Sequence, residues 1–423
     1  MIPEPRSFLG TLFGKAVEVA DPIRSLAAFL PEKPEGRVLV IGAGKASARM
    51  AEAVEAVWGP CEGLVITRYG YARPCKGIEI VEAAHPVPDE AGVRQTARML
   101  EMLNGLGERD FVLALISGGA SALLAAPAGA ITLAEKRAVN EALLASGAPI
   151  GQINKVRKHL SRVKGGQLAA SCWPAKMLAL MISDVPGDDP ALIGSGPTVG
   201  DTGTAEDASR ILKHWKIDAP DSVAQVLAGH TGVLAPGDPK LSRVTNRIFA
   251  APSQSLKAAA ELANAQGVQT ELLGDAIEGE ARDVAAAHAA LAIARQRDLV
   301  DGSSPLVLLS GGELTVTRIG DGIGGPNAEY VLALALALEG QAGIHAIACD
   351  TDGVDGAADV AGAVIDPATL KRAEALGLDA AAFLQRNDAH SFFERLGDQV
   401  VPGPTLTNVN DFRAILIQPG EPT

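Results

Sequence analysis

Short apolar runs alternate with longer amphipathic segments along most of the chain. The first half places the runs RVLVIG, GLVITR, IEIVEA, DFVLALIS and AKMLALMIS between segments whose apolar residues recur every three or four positions. Nearly continuous apolar strands separated by helices are typical of a parallel sheet that is buried on both faces. The pattern therefore predicts a doubly wound, Rossmann-like α/β domain over residues 1–240.

The pattern restarts after residues 229–244, a stretch rich in glycine and proline that is a candidate linker. The strands NRIFAA, VQTELLG, PLVLLSGG and GIHAIACD follow, with helices predicted from Ser253 and over residues 281–297. These elements predict a second, smaller α/β domain over residues 241–423. Its closing strand, NDFRAILI, has two candidate partners, its own sheet or the first one. Because ligands bind preferentially between domains, we expect the site in an interdomain cleft.

Composition and charge narrow the class of protein. The chain has 37 Lys and Arg against 50 Asp and Glu, a net charge of −13, which disfavours broad attraction to nucleic acid or to an anionic membrane. The four cysteines lack the CxxC spacing of a zinc site or a disulfide framework. The first residues do not read as a signal peptide, and no apolar run reaches the roughly 20 residues that span a bilayer. We therefore expect a soluble, cytoplasmic protein without nucleic-acid or membrane partners.

A glycine loop joins the first predicted strand to the next helix in VLVIGAGKAS. Gly42 and Gly44 match the first two glycines of a dinucleotide-binding loop, but Ser47 takes the place of the third. The second strand ends in Arg68, where a carboxylate would be expected to bind the ribose of NAD. Since Arg68 suits the 2′-phosphate of NADP instead, an NADP-dependent enzyme stays open.

The same loop does not follow the Walker A pattern, which requires glycine at Leu39 and Ser or Thr at Ala46. What remains is a helix N-terminus with Lys45 at its start. Helix amides and an ammonium group together favour a multiply charged anion. Because neutralising charge on the moving group is most of the catalysis in phosphoryl transfer, the loop favours that chemistry.

Other segments offer further donors for an anion. SGGAS at residues 117–121 and SGGE at residues 310–313 both follow apolar strands, and their backbone amides could bind an anion. GSG at residues 194–196 follows an aspartate-rich loop. The segment INKVRKHLSRVKGG predicts a helix with Lys155, Lys158 and Arg162 on one face. The candidate binding residues in these segments are Ser117, Gly118, Gly119, Ser121, Asn154, Lys158, Gly194, Ser195, Gly196, Ser310, Gly311, Gly312 and Glu313.

Carboxylates cluster after two predicted strands. Asp184 and Asp188 follow AKMLALMIS, whereas Asp350, Asp352 and Asp355 follow GIHAIA. Carboxylate oxygens at such strand ends suit Mg²⁺. Aspartate is also common at these positions because it forms turns and caps helices. We expect the magnesium ligands among Asp188, Asp350, Asp352 and Asp355. His85 also follows a strand, where an internally bonded loop histidine is the simpler interpretation.

Taken together, the motifs resemble the glycerate 2-kinase family, whose carboxyl-terminal part is called the MOFRL domain. They are IGAGKAS, LISGGASALL, INKVRKHLSRVKGGQLA, ISDVPGDDPALIGSGPT, LSGGELTVT with GGPNAE, CDTDGVDG and TNVNDF. The resemblance extends over residues 42–411. It implies transfer of the γ-phosphoryl group of ATP to the 2-hydroxyl of D-glycerate, with Mg²⁺, to give 2-phosphoglycerate. It also implies two α/β domains with a cleft between them, and leaves a homodimer open.

The resemblance implies roles for individual residues. Lys45 matches the family's active-site lysine in GAGKA, and Gly325, Asn327 and Glu329 match binding residues of a GGRNxE motif. This chain has Pro326 where that motif has its basic catalytic residue. Arg157 and Lys158 are the candidates to supply the missing charge. The predicted catalytic residues are Lys45, Asp184 and Arg157.

Two alternatives stay open beside the kinase. Some members of the family are labelled hydroxypyruvate reductase, and Gly42, Gly44 and Arg68 are compatible with NADP. A non-catalytic module that senses a sugar phosphate or a nucleotide is the other candidate, because Pro326 removes a catalytic charge.

Overall fold

The structure is a computed structural model that describes residues 2–300 and 302–419. Its strands are β1 Val38–Ala43, β2 Glu62–Arg68, β3 Ile78–Ala83, β4 Phe111–Ile116, β5 Lys176–Ile182, β6 Val244–Ala250, β7 Gln269–Gly274, β8 Gly279–Glu280, β9 Leu306–Gly312, β10 Leu314–Thr315, β11 Ile344–Asp350, β12 Gly362–Ile365, β13 Gln399–Val400 and β14 Asp411–Ile417. Its α-helices are α1 Pro5–Ala20, α2 Pro22–Ser25, α3 Ser47–Trp58, α4 Glu90–Met102, α5 Ala120–Leu123, α6 Leu133–Ala145, α7 Ile150–His159, α8 Gln167–Ala170, α9 Ala205–His214, α10 Asp221–Ala228, α11 Pro252–Ala265, α12 Ala281–Asp298, α13 Pro326–Leu338, α14 Thr369–Ala375, α15 Ala380–Gln385 and α16 Ala389–Leu396. The alternation of helices and strands confirms the predicted α/β class.

The chain folds into two compact units. The first unit contains Pro22–Asp184 and Asp188–Phe249. The second unit contains the chain up to Asp21, Val185–Gly187 and the chain from Ala250 onward. The sequence predicts a single division after residue 240, whereas the structure assigns α1 to the second unit. No helix among the described residues is both long enough and apolar enough to cross a membrane.

The first unit is built on a six-stranded sheet with the order β3-β2-β1-β4-β5-β6. Strands β1 to β5 pair in parallel, as predicted. Helix α3 packs against β1, β2 and β4, and α4 packs against β2 and β3. Strands β1, β2, β4 and β5 are almost continuously buried, as expected for a covered parallel sheet, whereas β3 is partly exposed. The strand order changes direction between β1 and β4, and ligands bind outside the carboxyl ends of strands at such a switch point.

The strand NRIFAA does not open the second sheet as the sequence predicts. It forms most of β6, at the edge of the first sheet beside β5. The preceding glycine- and proline-rich stretch packs onto the first unit, where the Leu234 amide donates to the Gly165 carbonyl at 3.0 Å. The Leu234 carbonyl accepts a hydrogen bond from a second residue of this unit, the Asp201 amide, at 2.8 Å. Glycine and proline here shape an irregular packed loop.

The second unit is built on a mixed sheet with the order β13-β12-β11-β14-β9-β7. Strand β7 is parallel to β9, and the other neighbours are antiparallel. Strand β14 lies between β9 and β11, so the closing strand pairs within its own sheet. Strands β8 and β10 form a separate short parallel pair.

Both faces of the second sheet are buried. Leu306 and Leu308 of β9 pack in the cluster that contains α12 and α13, whereas Val307 and Leu309 pack in the cluster that contains α1 and α11. This alternation is the normal two-residue period of a strand. On β14, Ile415 faces the α13 side, and the same period directs Asp411 and Arg413 to that side.

Candidate active site

The first glycine loop, between β1 and α3, uses its amides within the protein. The Lys45 amide donates to the Gly118 carbonyl at 2.8 Å, and the Ala46 amide donates to Ser117 Oγ at 3.1 Å. The Gly44 amide donates to the end of β2 at 3.2 Å. The sequence predicts that these amides hold a phosphate, but they join the β1–α3 loop to the loop after β4. A role for the Lys45 side chain in binding a ligand stays a prediction.

The two glycines of this loop are required by packing. A Cβ on Gly42 would lie 2.6 Å from the Leu115 carbonyl, and one on Gly44 would clash with Ser117. Gly44 also has a φ of +138°, which L side chains rarely adopt. Close approach of β1 to β4 therefore accounts for both glycines without a dinucleotide.

The loop after β4 is the better candidate for binding an anion. The amides of Gly118 and Gly119 donate to no acceptor within residues 2–300 and 302–419. A Cβ on Gly119 would lie 2.9 Å from His85 Cδ2 and 3.3 Å from Lys45 Cγ. Lys45, His85 and Gly119 are therefore neighbours. His85 thus adjoins predicted site residues, although the sequence favoured a simple loop role for it.

A cavity of about 380 Å³ lies beside Gly119 in the first unit. Helices α6 and α7 and the residue after α7 contribute an apolar wall that includes Val139, Leu143, Val156 and Leu160. The polar residues that line the cavity are His85, Ser121, Lys136, Arg137, Asn140, Glu141, Arg157 and Lys164. The cavity thus combines an apolar wall with several basic groups.

Lys164 is the most deeply buried of these basic groups. It is 1% exposed, and its Nζ donates to the Ser121 carbonyl at 2.7 Å and to Ser121 Oγ at 3.1 Å. Burial, and next the charges of Lys136, Arg157 and Lys158, lower the pKa of the Lys164 ammonium well below its usual range. An ammonium in such a place is costly without an anion.

Arg157 and Lys136 adjoin the same cavity with neutral partners. Arg157 Nε donates to Asn140 Oδ1 at 2.5 Å, and Arg157 Nη1 lies 3.4 Å from Asn154 Oδ1. Lys136 Nζ lies 3.4 Å from the Leu160 carbonyl. Burial lowers the pKa of Arg157, and burial followed by the charge of Arg157 lowers the pKa of Lys136 to about 8. The predicted site residue Arg157 thus lies within a cluster of cations.

A chain of hydroxyl and amide groups connects the cations. Ser121 Oγ lies 2.9 Å from Ser195 Oγ, which in turn lies 3.5 Å from Asn154 Oδ1. The structure therefore brings together the predicted residues Ser121, Asn154, Ser195 and Arg157. Gly194 and Gly196 have φ of +59° and +63°, so they set the turn that carries Ser195.

The predicted basic face of α7 is wrong. The helix ends at His159, so Arg162 lies beyond it, and Lys155 is exposed. Lys158 is buried and forms an ion pair with Asp201. Lys158 does not line the cavity, whereas Arg157 does; the role of Arg157 in replacing the motif arginine stays a prediction.

In the second unit, Asp355 caps helix α13. Its carboxylate accepts from the Asn327 amide at 3.0 Å and from the Ala328 amide at 2.8 Å, and His390 Nε2 lies 3.1 Å away. A Cβ on Gly325 would clash with this carboxylate. Asp355, predicted as a metal ligand, and Gly325, predicted to bind substrate, thus serve the start of α13.

Arg413 organises the second serine-glycine segment. The Arg413 guanidinium donates to the Gly311 carbonyl at 2.6 Å and reaches Ser310 Oγ and the Gly312 carbonyl at 3.4 and 3.3 Å. It also pairs with Asp411 at 3.0 Å. Residues 310–312, predicted as an anion-binding loop, therefore end β9 with their oxygens bound to a buried cation.

Two further residues of the GGPNAE motif are buried in polar contacts. Asn327 Nδ2 donates to Asp411 Oδ1 at 2.7 Å, while Asn327 Oδ1 is buried without a partner among the described residues. Burial raises the pKa of Asp411 to about 6. Glu329 is fully buried and accepts from Arg282 at 2.7 Å. The interior position of Glu329 suits a structural role. Glu313, by contrast, is exposed just after β9.

The predicted magnesium ligands do not form one cluster. No group of three or more His, Cys, Asp or Glu suited to a metal occurs within the described ranges. Asp350 accepts from the Asp352 amide and Asp352 from the Val354 amide, each at 2.8 Å, as in turns. Asp188 Oδ1 is buried with no partner among the described residues. Asp184 is half-buried after β5, and its role stays a prediction.

Sequence reasoning missed Lys136, Asn140 and Lys164. Lys164 belongs to the quoted segment INKVRKHLSRVKGG, but a helical projection does not reach it because α7 ends at His159. Lys136 and Asn140 are four positions apart on α6, so their shared face was the one available signal.

Comparisons with known proteins identify the family. The family model for a domain of unknown function, DUF4147, matches residues 8–228, and that of the MOFRL family matches residues 306–411. The D-glycerate 2-kinase of Thermotoga maritima is 39% identical over 94% of each chain. A protein of Agrobacterium vitis named putative hydroxypyruvate reductase is 50% identical over 97% of this chain and 94% of its own. The crystal structure of glycerate kinase from Thermotoga maritima superposes with a TM-score of 0.88 at 36% identity, covering 98% of this chain and all of that one. The chain therefore belongs to the MOFRL-containing glycerate 2-kinase family, as its motifs predict.

Proposed function

We propose that the protein is an ATP-dependent kinase that phosphorylates the 2-hydroxyl of D-glycerate to give 2-phosphoglycerate. The supporting observation is the similarity to the Thermotoga maritima D-glycerate 2-kinase over 94% of each chain. The site agrees with this reaction, because Lys45 adjoins a loop with two amides that have no acceptor among the described residues, and Gly119 of that loop lines a cavity rich in cations. We also propose a cytoplasmic location; a homodimer stays a prediction.

In this proposal, Lys45 neutralises charge on the phosphoryl group during transfer. The Gly118 and Gly119 amides donate to its oxygens or to those of the leaving group. A loose transition state requires little early deprotonation of the attacking hydroxyl, so orientation matters more than base strength. Asp184 is the proposed orienting group.

Magnesium is part of the proposal, and the described residues fit it in part. Both oxygens of Asp355 accept from backbone amides, so Asp355 does not fit a magnesium ligand. The unpartnered Oδ1 of Asp188 does fit, because Mg²⁺ is commonly held by one or two carboxylates together with substrate phosphates. When bound, Mg²⁺ would supply neutralisation of phosphate charge.

Phosphorus NMR tests the reaction and its position together. The full chain is incubated with ATP, Mg²⁺ and D-glycerate, and the product is compared with authentic 2- and 3-phosphoglycerate. We expect the 2-phosphate in the wild type and strongly reduced product in Lys45→Ala. Absence of any phosphoglycerate, with a folded enzyme, would refute the kinase.

The name of the Agrobacterium vitis relative supports one rival, an NADP-dependent hydroxypyruvate reductase. Against it, packing explains Gly42 and Gly44 and the loop amides are bound internally. Absorbance of NADPH in the presence of hydroxypyruvate tests this activity directly. Steady oxidation of NADPH without kinase activity would replace the kinase by the reductase.

A further inference from the structure

Three basic side chains line the cavity of the first unit, and none of them has an acidic partner among the described residues. Lys164 donates to oxygens of Ser121, Arg157 to asparagine side chains, and Lys136 to a backbone carbonyl. Among the described residues that line the cavity, Glu141 is the only carboxylate, and it is exposed. The cavity therefore contains positive charge that the protein itself does not neutralise.

The surroundings of Lys164 increase this imbalance. The charged groups that act on it are Lys136, Arg157 and Lys158, all of them basic. Lys158 itself is compensated, because it pairs with Asp201. A buried ammonium in such surroundings either loses its proton or acquires an anion from outside.

We propose that this cavity binds the carboxylate group of the hydroxy-acid substrate, with Lys164, Lys136 and Arg157 as its receiving groups. The identity of the acid rests on the proposed function. The Ser121 hydroxyl already accepts from Lys164 and lies within 2.9 Å of Ser195 Oγ, so it holds the ammonium in place. Lys164 keeps one N–H for the ligand, since an ammonium has three donors.

The lining favours a metal-free carboxylate over the phosphates of a nucleotide. A magnesium–nucleotide complex needs oxygen ligands from the protein or from water for its divalent cation, in addition to basic groups for its phosphates. The described lining offers exposed Glu141 alone for such a cation. The apolar wall of Val139, Leu143 and Leu160 instead suits the carbon chain of an organic acid.

Titration calorimetry on the full chain tests the proposal without requiring turnover. D-glycerate and hydroxypyruvate, which share a three-carbon carboxylate, are titrated into the wild type, Lys164→Met, Lys136→Met and the control Lys155→Met. Lys155 is exposed on α7 and does not line the cavity. We expect at least tenfold weaker binding of both acids in the two cavity variants and less than a twofold change in the control.

Proton uptake gives a readout that a merely structural role would not move. Burial lowers the pKa of Lys136 to about 8, and a bound carboxylate would raise it. At pH 8 the binding heat should therefore depend on the ionisation enthalpy of the buffer in the wild type, and this dependence should shrink in Lys136→Met. Lys164→Met should melt no lower than the wild type, because it removes an unpaired buried charge.

The outcomes separate this proposal from the kinase itself. Unchanged affinity for both acids in both variants would overturn it, as would weaker ATP binding with unchanged acid binding. Acid binding that depends on Lys164 and Lys136 in a protein without kinase activity would support the cavity and refute the kinase. If Lys164→Met does not fold, the acid affinity and the proton uptake of Lys136→Met test the proposal instead, because Lys136 is only half-buried.

Discussion

At the scale of single residues, Lys158 and Lys164 show two ways to bury an ammonium. Lys158 is 3% exposed and pairs with Asp201, so its burial is compensated inside the protein. Lys164 is 1% exposed and has the Ser121 hydroxyl and carbonyl instead. Neutral acceptors offset less of the desolvation cost than a carboxylate does. The ion pair therefore accounts for the burial of Lys158, whereas the matching partner of Lys164 would be the substrate carboxylate proposed above.

Replacing Lys45 with Ala should lower kcat by about 10²–10³-fold, the effect of removing one donor that acts on transition-state charge. The side chain is half-buried beside Gly119, so the melting temperature should change little. Lys33→Ala, at an exposed position, is the matched control. Kinase assays and thermal melts of the three proteins check this, and near-normal turnover in Lys45→Ala would remove its proposed role.

His288 should make the protein sensitive to acid. It is 7% exposed and bonded to Tyr330 Oη at 2.8 Å, and burial, followed by the charge of Arg413, lowers its pKa to about 4. An unfolded histidine titrates near about 6.5, so the unfolded state binds more protons between these values. The free energy of unfolding should fall by roughly 3 kcal/mol as the pH falls from 6.5 to 4.

Urea unfolding of the wild type and His288→Asn at pH 7 and pH 4 isolates this effect. The advantage of the wild type should be present at pH 7 and shrink at pH 4. The exposed His230→Asn should run parallel to the wild type at both values. A constant difference between wild type and His288→Asn would contradict the assignment.

At the scale of elements, helix α13 begins under a cap supplied from a distant loop. Gly325 allows Asp355 to approach. Pro326 suits the first helical position, because a backbone N–H at that position has no hydrogen-bond partner within the helix. Asp355 then accepts from the next two amides. Pro326 therefore fits the start of α13, at the position where the resembled motif has arginine.

Removing this cap should cost more than removing an exposed one. Asp355→Ala leaves two buried amides unpaired, so we expect a loss of about 2 kcal/mol or more in the free energy of unfolding. Asp379→Ala removes the exposed cap of α15 and should cost about 1 kcal/mol. Urea unfolding compares them, and equal costs would show that burial of the α13 cap contributes nothing.

The strands and most helices were predictable because their apolar periodicity is local. The run of β1 and the helix α3 that follows it are predicted directly from the sequence. The position of NRIFAA at the edge of the first sheet was not predictable, because strand order depends on packing between distant segments. The same holds for β14, whose pairing with β9 and β11 also joins distant segments.

The candidate site was predictable only for residues that belong to a recognisable sequence motif. Lys45, Ser121 and Arg157 come from such motifs and lie around one region of the first unit. Asp355 and Glu329 looked equally functional, yet their carboxylates satisfy buried donors. A sequence does not distinguish a ligand from a cap, because the deciding partner comes from another part of the chain.

At the scale of the whole molecule, α1 shows how the first residues complete a core built by the last ones. Phe13 lies 6.1 Å from Phe412, ring centre to ring centre, and the Ala16 carbonyl accepts from Ser255 Oγ at 2.7 Å. Arg6 pairs with Asp398 at 2.6 Å. The helix thus covers part of one face of the second sheet beside α11, and residues 250–423 alone would expose that part.

A fragment of residues 250–423 should therefore fail to fold cooperatively unless α1 is returned. Phe8, Leu9, Leu12 and Phe13 are each at most 5% exposed, and losing their burial costs about 2 kcal/mol per side chain. A synthetic peptide of residues 2–21 should restore a cooperative melt by circular dichroism, whereas the same peptide with Leu12→Asp should not. A fragment that melts cooperatively by itself, unaffected by the peptide, would show that the second sheet holds its core without α1.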